Sequence, residues 1–534
     1  MGLANITVDK ETIGDRLDPE GIHAQGASED LVVDRQEIDR SCKYPVLFFF
    51  ASSVVWLLVG TLLALLASFK MHWPNFLADY AFLTFGRVRP AHLDVVAYGW
   101  AAMVGLGTSI WLMCRLCRVP LRFPQMIVVA GILWNIGVFA GVIGVLAGSS
   151  NSIEWIEFPP YATPILFAAF AIISVWSIMT FTQRREKHVY VSLWYIFAAM
   201  FWFPWVFATV QILMNSKLSV QGVAQESIHW WFGHNVLGVF FTPMGLAAIY
   251  YLLPKVVGRP IYSYYLSILG FWSLALFYNW AGAHHLISGP IPAWLQTMSI
   301  AGSVMMFIPV ITTAINHHMT AYKNLDVLKV SPVLRFIVFG AMCYTLVSFQ
   351  GSMMSLPVLN EPFHFSHHTI AHAHLGLYGF YTMVTFGAIY YIMPRLTGRE
   401  FASAGLMRLH FWCVAIGILV MFFGLTLGGI IQGFEWNQAS MTLSDAIGRG
   451  HAAGQGTWQG VMMWFDTFKA KQDQPIAFIT VVRDTAPYLK MRSVSGILLL
   501  VGHLAFAGLV FWNLFGGGVK RIGTLLLPRK KAQT

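Results

Sequence analysis

The chain has 534 residues, of which 57% are hydrophobic and only 11% charged. With a mean hydropathy of +0.62, this balance excludes an ordinary soluble domain and indicates a polytopic helical membrane protein. The net charge of +10 follows the placement of basic residues in loops, and nothing in it calls for a nucleic-acid partner.

Residues 1–43 are polar and on balance acidic, without the apolar run of a signal peptide, and read as a cytoplasmic extension. Twelve apolar stretches follow, each long enough for the ~20 residues of a helical crossing. Their cores lie near 44–69, 92–114, 124–148, 161–182, 189–214, 227–253, 263–288, 293–316, 333–356, 368–394, 409–432 and 494–515. The expected fold is therefore all-α, a single membrane domain over 44–516. An outward-facing excursion at 434–492 and a basic tail at 517–534 complete it. No β-barrel alternation is visible. No internal repeat or broken helix suggests a transporter.

Basic residues alternate between loops. Arg115, Arg118 and Arg122, then Arg184, Arg185 and Lys187, then Lys255 and Arg259 lie on one side. Lys323, Lys329, Arg395, Arg399 and the tail residues Arg529, Lys530 and Lys531 continue the series. By the positive-inside rule both termini are cytoplasmic, in keeping with a bacterial inner membrane. Cys114 and Cys117 form a C-x-x-C without the following histidine of a haem attachment site, and read as ordinary helix-end cysteines. No Walker A loop or Rossmann fingerprint is present.

Histidines at membrane depth are the informative residues, because ionisable groups there are costly and commonly functional. Ala371-His372-Ala373-His374 places two imidazoles two residues apart, roughly 200° around one helix, so each meets a different neighbour. His92, His234 and the adjacent His284 and His285 complete a set of six. The topology puts all six in the outer half of the membrane. One economical assignment serves three metals. His92 and His374 face across a low-spin haem; His372 holds a second, high-spin haem; His234, His284 and His285 hold one copper ion. His410 and His503 read as polar or interfacial residues. His317-His318, His364, His367 and His368 lie near helix ends and read as solvent or propionate neighbours.

The segments His229-Trp230-Trp231-Phe232-Gly233-His234-Asn235, Pro260 to Ser267 and Tyr278-Asn279-Trp280-Ala281-Gly282-Ala283-His284-His285 resemble the catalytic subunit of haem–copper oxygen reductases. So do Gly86-Arg87-Val88-Arg89-Pro90-Ala91-His92 and Thr369-Ile370-Ala371-His372-Ala373-His374. Within that superfamily they resemble the cbb-type cytochrome c oxidases. The resemblance runs from about residue 45 to 515. It implies four-electron reduction of O2 to water with coupled proton uptake or pumping, on two haems b and one copper. It also implies c-type cytochrome subunits of the same complex as partners, with a cytochrome c as donor. Tyr278 would be a redox-active tyrosine joined covalently to His234. Arg87 and Arg89 would neutralise haem propionates. Glu154 and Glu157, on the same side, would help hold a calcium ion near the outer surface. Tyr344, Ser267 and Gln350 are candidate steps for protons entering from the cytoplasm. Gln350 stands where the resemblance implies an acid, and Tyr265 and Gly270 where it implies basic residues, so proton delivery is expected to differ in detail.

The competing readings are a nitric oxide reductase of the same superfamily and a non-catalytic dihaem electron carrier. The former pairs non-haem iron with a nearby glutamate, yet no acid occurs from Ser227 to Leu253 and Gly238 lies one turn after His234. Adjacent His284 and His285 suit one compact metal site better than two separate haems, against the carrier.

Overall fold

The computed structural model describes residues 29–151, 153–437, 441–467 and 476–516, so the tail, residues 1–28 and parts of the outward excursion lie outside the described residues. Among the described residues the fold is helical without a strand. Twelve helices are long and apolar enough to cross a membrane. They are α1 (Asp34–His72), α2 (Phe85–Cys117), α3 (Pro124–Ala147), α4 (Thr163–Thr182), α5 (Val191–Asn215) and α6 (Val223–Val257). After them come α7 (Tyr264–Leu286), α8 (Ala293–Ala321), α9 (Pro332–Met354), α10 (His367–Thr397), α11 (Ala404–Asn437) and α12 (Phe478–Phe515). Helices are what these sequences must form, since only an intrasegment ladder satisfies backbone polar groups in hydrocarbon.

Hydrogen bonds between helix ends fix the alternation. Arg185 N–H donates to Cys117 O at the end of α2, Tyr262 N–H to Thr320 Oγ1 at the end of α8, and Thr397 Oγ1 to Asn513 Oδ1 at the end of α12. The ends of α2 and α4, of α6 and α8, and of α10 and α12 therefore lie together in pairs, and the Arg115–Asp39 ion pair at 3.3 Å sets the start of α1 beside the end of α2.

Three helices form the centre. The apolar windows of α2, α6 and α10 are 94, 89 and 83% buried, against 39–61% for the other nine. Each of the three is interrupted by a π-helical segment, at Val95–Ala101, Val236–Phe241 and Leu375–Thr382. Such single-turn widenings favour functional sites, and here each follows the histidines by a few residues. Each helix also closes on a left-handed residue: Arg118 (φ 52), Gly258 (φ 70) and Gly398 (φ 69). These caps are spaced 140 residues apart in sequence (118, 258, 398), and their N–H groups bond to Cys114 O, Pro254 O and Pro394 O. The three central helices thus share a π-helical segment and a left-handed closing residue, although Cys114 and Arg118 stand where the other two have proline and glycine.

The largest departures from the apolar cores are extensions. The first helix is already wound at Glu29 and α12 at Phe478 rather than 494, because a helix continues past the bilayer as an amphipathic or charged extension that no hydropathy window detects. The outward excursion accordingly shrinks. Its described part contains the short helices Leu443–Ala452 and Gly456–Thr467.

His410 and His503 are fully buried rather than interfacial. His503 Nδ1 lies 2.7 Å from Thr61 Oγ1 on α1 and its Nε2 2.6 Å from Tyr378 Oη on α10, so one ring staples three helices. His410 Nδ1 is 2.9 Å from Tyr390 Oη. Cys114 and Cys117 are buried, as are Cys42 and Cys343, and no disulfide is formed.

Candidate metal centre

α6 and α7 bring three imidazoles together. His234, His284 and His285 offer ring nitrogens that all lie within 4.8 Å of one another. His284 Nε2 and His285 Nε2 are 3.1 Å apart, and the His234 ring meets that of His284 edge-on at 4.8 Å. Adjacent residues converge in this way because Tyr278–Leu286, the end of α7, is wound as a 3-10 helix. The rings are held from behind. His284 Nδ1 is 2.7 Å from Ser303 Oγ, which donates to Ser299 O. Trp230 stacks flat on His285, with centroids 4.1 Å apart and planes 17° from parallel. His234 Nδ1 is buried with no partner in the protein. An orphaned imidazole nitrogen among converging neutral rings is costly unless it meets a cation. Three imidazoles suit copper, zinc or iron, so the donor set fits a copper ion.

Tyr278 lies against this cluster, its ring stacked on His234 at 4.3 Å and 27°. The contact depends on Gly238: a Cβ there would stand 1.6 Å from Tyr278 Cε1. No side chain fits at 238 while Tyr278 is in place, which removes the position at which a reductase glutamate was considered.

On α10 the two histidines diverge as the 200° argument requires. His372 is an electrostatic neighbour of His234, His284 and His285, whereas His374 is a neighbour of His92 on α2. Hydrogen bonds select the outward nitrogen of each ring. His92 Nδ1 lies 2.9 Å from Gly60 O and His374 Nδ1 2.8 Å from Ile370 O, which leaves Nε2 as the ligand atom. His372 Nδ1 donates to Gln350 Oε1 at 3.2 Å. His92, His372 and His374 keep accessible ring surface although Ala91 and Ala371 beside them are buried. These half-buried rings are a donor set that fits axial ligation of haem iron.

The remaining predicted residues separate. Gln350 is near the end of α9, bridging His372 and His368 (Nε2 to Nε2, 3.0 Å), at the level of the metal-site histidines. Ser267, near the start of α7 and so at the opposite end from His284 and His285, and Tyr344 belong to a polar column that also contains residues missed in the sequence. Asn316 Nδ2 reaches Ser267 Oγ at 2.9 Å and Tyr250 Oη at 3.4 Å, and His317 packs between Tyr250 and Tyr344. Arg89 pairs with Glu154 and Arg87 Nη1 donates to Leu146 O at 3.2 Å. Glu157 is instead buried against Asp94, and burial pushes its carboxyl up to about 7. Arg492 on α12 is a further missed residue, an electrostatic neighbour of His92, His374 and His367. It escaped notice because the apolar core of α12 begins after it.

Comparison with known proteins shows the family and the fold. The family described as "Cytochrome C and Quinol oxidase polypeptide I" matches residues 44–498. "Cytochrome c oxidase subunit 1 homolog, bacteroid" of Bradyrhizobium diazoefficiens is 33% identical, covering 87% of this chain and 80% of that protein. "Cbb3-type cytochrome c oxidase subunit CcoN1" of Stutzerimonas stutzeri is 32% identical over 73% of this chain and 83% of that one. A heme-copper terminal oxidase dimer solved by cryo-EM shares the fold, with a TM-score of 0.67 over 93% of this chain and 86% of the other at 16% identity. The chain belongs to the cytochrome c and quinol oxidase polypeptide I family, as an integral membrane oxidoreductase of the haem–copper oxidase type.

Proposed function

We propose that this chain is the catalytic subunit of a cbb-type cytochrome c oxidase, with two haems b and one copper ion. The observation that carries the reading is the trio His234, His284 and His285 with Tyr278 stacked on it and His372 facing it from α10. When bound, the metals supply electron transfer and the four-electron reduction of O2 to water. His92 and His374 would hold the low-spin haem through Nε2, His372 would hold the high-spin haem, and His234, His284 and His285 would hold copper.

Tyr278 stores a proton and an electron at its phenol oxygen, next to the reacting atoms, and its stacking on His234 supports the covalent link that the family resemblance implies. Protons reach it from the cytoplasmic side through Ser267, Asn316, Tyr250, His317 and Tyr344. Gln350 orients His372 by accepting its Nδ1 proton. Arg87, Arg89 and Arg492 lie on the outer side and balance propionate charge; Glu154 is engaged with Arg89 and joins Glu157 as a candidate calcium ligand. Both termini are cytoplasmic, and c-type cytochrome subunits fed by a cytochrome c deliver electrons.

Tyr278→Phe tests the assignment. Oxidase turnover should fall by about 10²–10⁴-fold, the contribution of a positioned proton donor, while copper and haem content stay unchanged. Full turnover in that variant contradicts the role given to Tyr278.

A further inference from the structure

We propose that Gly60 on α1 is a positioning residue for the low-spin haem: it lets a backbone carbonyl of α1 reach the His92 ring and so sets the potential of that haem. The inference rests on the assignment of His92 and His374 as the axial ligands.

The two ligands are held in different ways. His374 Nδ1 lies 2.8 Å from Ile370 O, four residues earlier on the same helix. That bond travels with α10 and is indifferent to what packs against it. His92 Nδ1 lies 2.9 Å from Gly60 O, 32 residues away in the chain and on another helix. Its length is set by how closely α1 and α2 approach.

Glycine permits that approach. A Cβ at position 60 would stand 2.8 Å from Val96 Cγ1 and 3.1 Å from Val95 Cγ1. These valines open the π-helical segment of α2, and valine is stiff at χ1. Relief therefore has to come in part from the spacing of the two helices. Thr61, the next residue, fixes the register of α1, with its Oγ1 2.7 Å from His503 Nδ1. Small residues at helix crossings are common in membranes for packing alone. What distinguishes this crossing is that the carbonyl it brings close is aimed at a ligand ring. An imidazole that donates its Nδ1 proton to a carbonyl becomes a stronger donor through the other nitrogen. That favours the ferric state and lowers the potential; loosening the bond has the opposite sign.

The test uses the whole purified oxidase complex, with redox titration of both haems and the EPR g values of the low-spin haem. Gly60→Ala should raise the low-spin potential by about 60 mV, a tenfold change in relative affinity for the two oxidation states, and shift its g values. The high-spin potential should stay where it is. Gly60→Ala/Val96→Ala, which clears the gap, should restore the native values. Val96→Ile crowds the same gap from the α2 side and should raise the potential in the same direction if Gly60→Ala fails to assemble. A lower melting temperature with native potentials, an equal shift of both haems, or a shift that Val96→Ala does not reverse overturns the proposal. A native complex without a bis-imidazole low-spin signal overturns the haem assignment itself, and this inference with it.

Discussion

Single atoms decide much of the chemistry at the centre. Gly238 is the clearest case, because the space a Cβ would need is filled by the Tyr278 ring. Gly238→Ala should displace that ring and destabilise the subunit by about 1–3 kcal/mol, the usual cost of overpacking, with turnover lost. A melting curve and an activity assay on the same preparation check this, and an active variant of native stability would show that Tyr278 has room to move. Gln350 gives a second test. Its neutral amide accepts the His372 Nδ1 proton, whereas a carboxylate there would make the imidazole more electron-rich. Gln350→Glu should lower the high-spin haem potential by about 60 mV, one tenfold change in relative affinity for the two oxidation states. Redox titration reads it, and an unchanged potential would separate Gln350 from the haem. That Gln350 touches His372 was not legible in the sequence. Its place near the end of α9 could be inferred, but which way it faces depends on helix rotation, which packing sets.

At the scale of elements, the twelve spans were legible because hydrocarbon demands apolar length. The divergence of His372 and His374 was legible from helix geometry alone. The π-helical segments of α2, α6 and α10 were not, since no residue type encodes one extra residue per turn; nor was the left-handed Arg118, which stands where a glycine would be expected. The staple between α1, α10 and α12 was missed too. His503 in isolation reads as a bland polar residue, and its partners Thr61 and Tyr378 come from distant parts of the chain. His503→Leu should cost about 1–3 kcal/mol by leaving buried hydroxyls unpaired, and lower the melting temperature without removing either haem. Haem loss in that variant would instead tie His503 to the cofactor pocket.

For the whole molecule, buried charge gathers at the end of the bundle that carries His92. Asp94 and Glu157 face each other with neither carboxylate bonded elsewhere, and burial raises the Glu157 carboxyl from its ordinary 4.5 to about 7. A raised carboxyl pKa means the folded state holds a proton that the unfolded chain releases. Stability therefore falls as pH rises from about 4.5 toward 7 and stays lower above it. Melting temperatures measured across that window should decline, and Glu157→Gln should flatten the decline. An identical slope in both proteins would assign the pH dependence to other groups.

Copper, total iron and b-type haem per catalytic subunit in the purified complex test the central claim most directly. The three-imidazole cluster and the separated His372 and His374 predict one copper and two haems b, with no further iron. A third, non-haem iron in place of copper, or two haems with no third metal, would contradict it.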